Sequence, residues 1–147
     1  FFLAHYAGAG MMQAPHVGYA GPALLGVLPR LAGADMVMTM YPGPPHSAGY
    51  GEFLQTLQKQ RLPLGNIPPV FSTVGGGVTP LNLGAVIRDA GEDVILAVGG
   101  AIQGHPLGAA AGGQAILAAV DCAMKGEPLS QRGESCPALL AAIDAWG

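Results

Sequence analysis

Glycine and histidine are the residues placed to do chemistry in this chain. Two glycine-rich segments, "STVGGGVTP" at 72–80 and "LAVGGAIQGHPLGAAAGG" at 96–113, each follow a run of strand-forming residues. Glycines directly after a strand let a ligand approach the backbone. The helix that follows offers free N–H groups and a partial positive charge, which suits an anion such as phosphate. Two such turns after consecutive strands can close on one phosphate, as the loops after the last two strands of a (β/α)₈ barrel do. The plain alternative is that these glycines only permit tight packing. Other phosphate motifs are missing. Ala101 takes the second glycine position of G-x-G-x-x-G in "GGAIQG", and no GK[ST] follows either turn.

His5, in "AHYAGAG", is expected at the end of a strand, where a neutral imidazole could take or deliver a proton. Its bland counterpart is a core histidine with one satisfied nitrogen. His105, in "GHP", is expected to support its loop, and His16 and His46, beside prolines, to be loop residues. No carboxylate pair is placed for acid–base work. Asp89, Glu92 and Asp93 are expected to form a solvated turn, not a metal site. Cys122 and Cys136 lack His or Cys partners at ligand spacing, so they read as small apolar residues of an intracellular, cytoplasmic protein with no disulfide.

Positioning these groups takes strands and helices in alternation. Strands are predicted at Phe1–His5, Asp35–Met40, Pro69–Val74 and Val94–Val98, with runs apolar on both faces, as a covered parallel sheet requires. Helices are predicted at Gly18–Ala32, Gly49–Gln60, Pro80–Ala90, Gly108–Met124 and Pro137–Trp146. Gly33, Gly91 and Gly126 stand where helices should stop, Pro80 suits a first helical position, and Pro29 predicts a kink or early end. Four strand–helix units imply parallel strands with right-handed crossovers. A full barrel takes about 250 residues, so 147 residues hold half of one, or else an open doubly wound sheet. Period and composition leave both open.

Composition excludes several classes. Only 15 of the side chains are formally charged, 24 residues are glycine, and half are apolar. A disordered chain needs the reverse balance. Six cations against nine anions, net −3, exclude binding to nucleic acid by phosphate neutralisation. The uncharged stretches Phe1–Pro29 and Val94–Val120 are both interrupted by Gly and Pro clusters and lack flanking Lys/Arg clusters, so no membrane span is expected. The chain opens on "FFLAHY", with no Met and no charge to blunt an edge strand, which reads as part of a longer polypeptide.

Four segments, in order, resemble the C-terminal half of the large-chain RuBisCO superfamily barrel. "AHYAGAG" resembles its fifth-strand histidine segment, and "LLGVLPRLAGAD" (Leu24–Asp35) the helix leading into strand six. "VGGGVTP" resembles the strand-seven turn, and "VGGAIQGHPLGAAAGGQAI" (Val98–Ile116) the glycine segment after strand eight. The resemblance runs to about Gly126, implying residues 1–126 as a half-barrel of strands five to eight and 127–147 as a helical tail. It implies that His5 is the active-site histidine near the reacting carbons, that the Gly77 backbone meets substrate, and that Gly99 and Gly100 N–H groups bind the first phosphate. The family's Mg²⁺ ligands lie on an earlier strand and are not in this chain.

The departures matter as much. Tyr6, Met38 and Gly75 replace the arginine, histidine and serine expected of the family, the first two from its second phosphate site, and the loop "YPGPPHS" has no lysine. The resemblance therefore implies a RuBisCO-like protein acting on a phosphorylated ketose-type substrate through a Mg²⁺-stabilised enediolate. Enolisation, isomerisation or decarboxylation is expected rather than CO₂ fixation, with the N-terminal half and a second subunit as partners. The rival expectations are a non-catalytic half-barrel scaffold and a stand-alone phosphate-binding module.

Overall fold

The computed structural model describes residues 1–147. In chain order the elements are β1 (Leu3–Ala4), α1 (Ala9–Met12), a π-helical turn (Pro22–Val27) running into α2 (Leu28–Leu31), β2 (Met36–Met40) and α3 (Tyr50–Arg61). There follow β3 (Phe71–Gly75), α4 (Leu83–Ala90), β4 (Val94–Ala97), α5 (Gly99–Gln103), α6 (Ala109–Lys125), α7 (Leu129–Gly133) and α8 (Pro137–Trp146). All four expected strands form, and α8 has its predicted bounds. Gly33, Gly91 and Gly126 take positive φ at helix ends as expected. Helices α1, α5 and α7 fall in segments read from sequence as turns or tail. Pro80 lies in a turn, and α4 starts only at Leu83.

Pro29 bends the first helical segment in an unforeseen way. Its ring nitrogen has no hydrogen to give the carbonyl four residues back, and there the helix widens to π register. The Gln60 side-chain amide donates to that carbonyl, Leu25 O, at 2.9 Å. Gly26 lets the widened turn lie close on α3, since a Cβ there would come within 2.6 Å of the Lys59 Cβ.

The sheet is parallel throughout, in the order β1-β2-β3-β4. Strand order follows chain order with no reversal. A doubly wound sheet reverses at its switch point, whereas a barrel adds each strand beside the last. Topology thus separates the two architectures that composition could not.

Helices cover one face only. Val37 and Val74 point into it and are fully buried, Val74 packing with Tyr41, Phe53, Leu57 and Val86 and Val37 with Ala34 and Val70. On the other face the register sets Leu3, Met36 and Phe71 in one row, Met38, Thr73 and Ile95 in the next, and Met40, Gly75 and Ala97 in the third. Phe71 and Met40 there are 57% and 54% exposed. The expectation of a sheet covered on both sides is therefore met on one side; the other has the apolar, layered character of a barrel interior. A second core joins α4, α6 and α8 through Leu83, Ile116, Ala119 and Leu139. No helix is long and apolar enough to cross a membrane.

Arg30 carries the main polar tie beneath this scaffold. Its buried guanidinium donates to Lys59 O and Leu62 O at 2.7 Å, to Ile67 O at 3.2 Å and to Pro68 O at 3.2–3.3 Å. The carbonyls at the end of α3 have no intrahelical partner and carry partial negative charge, so a cation is favoured there.

Candidate functional site: a cleft between two glycine turns

β3 ends at Gly75, and the chain turns through Gly76 and Gly77 with φ of 66° and 76°. A side-chain-bearing residue rarely takes this left-handed conformation. Asn82 braces the turn: its amide donates to Gly77 O at 2.8 Å, and its carbonyl accepts from Thr79 N–H at 2.9 Å. The N–H groups of Gly76, Gly77 and Val78 meet no backbone acceptor.

β4 leads straight into α5. The N–H groups of Gly99, Gly100 and Ala101 precede its first bond, from Ile102 N–H to Val98 O at 3.2 Å. A side chain at Gly99 or Gly100 would meet nothing within 4 Å, and neither has a positive φ. Packing and backbone geometry thus leave these two glycines without a reason. Gly112 is the contrasting case: a Cβ there would lie 2.7 Å from the Ile102 Cα, so it is the contact point of α6 on α5.

Between the turns lies an open cleft of about 370 Å³, lined by Gly76, Gly77, Val78, Ala97, Gly100 and Trp146 among others. The structure therefore brings Gly77 and Gly100 together, with Gly99 beside Gly100 at the head of α5. It does not bring His5 to them. His5 is exposed at the end of β1, stacked on Tyr6 at 4.5 Å, and faces a separate hollow with Met11, Met12 and Leu24. Its Nδ1 accepts from Ala7 N–H at 2.9 Å, which places the proton of a neutral ring on Nε2.

His105 is buried with both nitrogens engaged. Nδ1 accepts from Leu107 N–H at 3.1 Å, so Nε2 donates to Ala138 O at 2.9 Å. The ring stands edge-on to Trp146 at 5.9 Å. His16 and His46 lie in exposed turns, His46 with φ 74°.

Two of the expected departures, Met38 and Gly75, meet in space, and Tyr6 lies against the neighbouring Gly76. A Cβ at Gly75 would collide with Met38 Cε and come within 3.0 Å of the Ala97 Cβ. One at Gly76 would lie 2.8 Å from Met40 Cγ and 3.4 Å from Tyr6 Oη. Two methionines and a tyrosine of β2 and the β1 turn thus lie over the β3 glycines. Lys59 and Lys125 sit in the last turns of α3 and α6. Of the acidic cluster, Asp89 is not solvated: its side chain is 10% exposed and accepts from Tyr50 Oη at 2.6 Å. That bond, ahead of burial, holds the Tyr50 hydroxyl above its usual pKa, and burial raises Tyr41 likewise. Cys122 is buried and its thiol is pushed up by desolvation; both cysteines are free.

Residues 55–146 match the family model for the ribulose bisphosphate carboxylase large chain, catalytic domain. This chain belongs to the large-chain RuBisCO family. Within that family it is 35% identical over 138 residues, 93% of its length, to a 2,3-diketo-5-methylthiopentyl-1-phosphate enolase of Exiguobacterium sibiricum. It is 38% identical over 127 residues to a ribulose bisphosphate carboxylase-like protein of Archaeoglobus fulgidus. Among solved structures, a rubisco-like protein of Alicyclobacillus acidocaldarius superposes with a TM-score of 0.86 at 34% identity over 99% of the chain. The octameric Rubisco of Pyrococcus horikoshii superposes with a TM-score of 0.86 at 28% identity. The four parallel strands are those of the C-terminal half of the RuBisCO barrel. The chain spans about a third of these relatives: 34% of the Exiguobacterium enolase and 36% of the Alicyclobacillus protein. The family match runs on through the tail to residue 146.

Sequence reasoning found the glycine turns through the strand–glycine pattern. It missed Asn82, whose signal was an Asx residue three positions after Thr79, and Trp146, which no local pattern connects to the turns.

Proposed function

We propose that this chain supplies the phosphate-binding side of a RuBisCO-like enolase site, with Gly77, Gly99 and Gly100 as backbone donors to the phosphate. One observation carries this: two strand-end turns with unpartnered N–H groups face one cleft, and at Gly99 and Gly100 neither packing nor φ calls for glycine. Open access of an anion to the N–H groups is a requirement that glycine alone meets.

The substrate is a phosphorylated ketone whose far end is uncharged, in line with the diketo-methylthiopentyl phosphate of the named enolases. Met38, Met40 and Tyr6 over Gly75 and Gly76 favour an apolar group there and offer no cation to a second phosphate. Enolisation, removal of a proton beside a carbonyl, is the reaction class; His5 would assist it by moving a proton at Nε2, once the rest of the barrel brings substrate to the β1 end. Mg²⁺, implied by the family, finds no ligand set in this chain, where no three His, Cys, Asp or Glu side chains converge. The chain's share is accordingly phosphate binding and one imidazole. Its exposed apolar sheet face supports a barrel completed by further strands over a stand-alone module.

The test is Gly100→Val in the whole polypeptide that contains this chain. The new Cβ meets nothing within 4 Å, so the melting temperature should hold. Affinity for inorganic phosphate, measured by calorimetry, should drop at least about tenfold. Unchanged affinity would make the glycine turn structural only.

A further inference from the structure

The cleft between the glycine turns has a third wall, built by the C-terminal helix. Trp146, the single tryptophan of the chain, lines it together with Gly76, Gly77, Gly100 and Gly104. Its place is not accidental. His105, within the second glycine segment, donates through Nε2 to Ala138 O at 2.9 Å, in the first turn of α8, and meets the Trp146 ring edge-on at 87°. Ala138, Leu139 and Ala142 are buried and hold α8 against α6. One histidine therefore ties the second glycine segment to α8 and contacts the ring that lines the cleft.

The chemistry of the cleft calls for such a wall. Its lining is glycine backbone, apolar side chains and Thr79, with no lysine or arginine. An anion held by neutral N–H groups is bound strongly only where water is kept out and every donor points at it. An indole serves both needs, with a broad apolar face and an N–H that can only donate. The Trp146 Nε1 is not among the sealed, unpartnered polar atoms of the structure, which are Gln60 Oε1, Ser72 Oγ and Thr73 Oγ1, and no acceptor in the chain engages it.

We infer that Trp146 is a phosphate-binding residue of this site, its ring shielding the anion and its Nε1–H donating to a phosphate oxygen. This rests on the phosphate assignment above and adds to it a side chain from the tail. The experiment compares wild type, Gly100→Val and Trp146→Phe in the whole polypeptide, titrated with inorganic phosphate in a calorimeter, with indole emission followed in parallel. Phenylalanine keeps the edge-on contact with His105 and most of the packing, and removes the donor. Trp146→Phe should hold its melting temperature, bind phosphate about tenfold more weakly, and lose the phosphate-dependent change in emission that wild type shows. Wild-type affinity in Trp146→Phe, with binding lost in Gly100→Val, would overturn the role of Trp146 and leave the phosphate cleft standing. No phosphate binding by wild type, or none lost in Gly100→Val, would overturn both.

Discussion

Gly75 is the residue whose presence is hardest to explain locally. It is the last residue of β3, paired on both sides and without a positive φ, where glycine weakens the ladder and packs nothing. Its reason is Met38, whose methyl group occupies the space of a Gly75 side chain. The two positions are therefore one steric unit, and a change at either has its cost set by the other. Gly75→Ala should destabilise by about 1–3 kcal/mol through overpacking, less because Met38 is flexible and more because Ala97 is also close. In a Met38→Ala background most of that cost should vanish. A double-mutant cycle by chemical denaturation should give a coupling of about 0.5–3 kcal/mol, and strict additivity would show the two sites to be independent.

At the scale of elements, the long connection from α3 to β3 is held by one side chain. Arg30→Met would keep the stem's bulk yet leave the carbonyls of Lys59, Leu62, Ile67 and Pro68 without their donor. A loss of about 3 kcal/mol is expected, read as a lower denaturant midpoint, with Arg30→Lys recovering only part because an ammonium cannot span the same fork. Helices α3 and α4 are joined by Tyr50 and Asp89. The Tyr50 pKa is raised in the folded state, mainly by that hydrogen bond. The stabilisation is therefore complete below the unfolded tyrosine pKa, near 10, and disappears as pH climbs through the higher folded value. Melting temperatures from pH 8 to 12 should fall less steeply in Tyr50→Phe than in wild type; parallel curves would remove Tyr50 from the alkaline transition.

Over the whole molecule, one sheet face is covered and the other is not. Phe71, Met40 and Ile95 stand exposed on it, in rows that a barrel interior would enclose. A patch of this kind on a lone domain binds apolar probes. The 147-residue chain, expressed as such, should enhance the fluorescence of an anilinonaphthalene dye, and Phe71→Lys with Ile95→Lys should remove most of the enhancement. Undiminished dye binding in the double variant would place the apolar surface elsewhere.

Much of this was legible in the residues themselves. Four strands, most helix ends and both glycine turns follow from local rules: β-forming runs, proline and glycine punctuation, and glycine directly after a strand. Those rules act within a few residues, so the sequence alone determined the elements and marked where an anion could reach the backbone. It could not determine what lay opposite each turn. Sheet order, the Met38–Gly75 collision, the Arg30 tie and the arrival of Trp146 at the cleft join residues 22 to 70 positions apart. Side chains that distant meet only when a crossover direction and a strand register have been chosen. Burial of the helix-covered face selects that register, because a slip of one residue would turn Val37 and Val74 outward and the methionines in. The tertiary structure alone therefore decided that the two glycine turns share one cleft and that His5 stands apart from it.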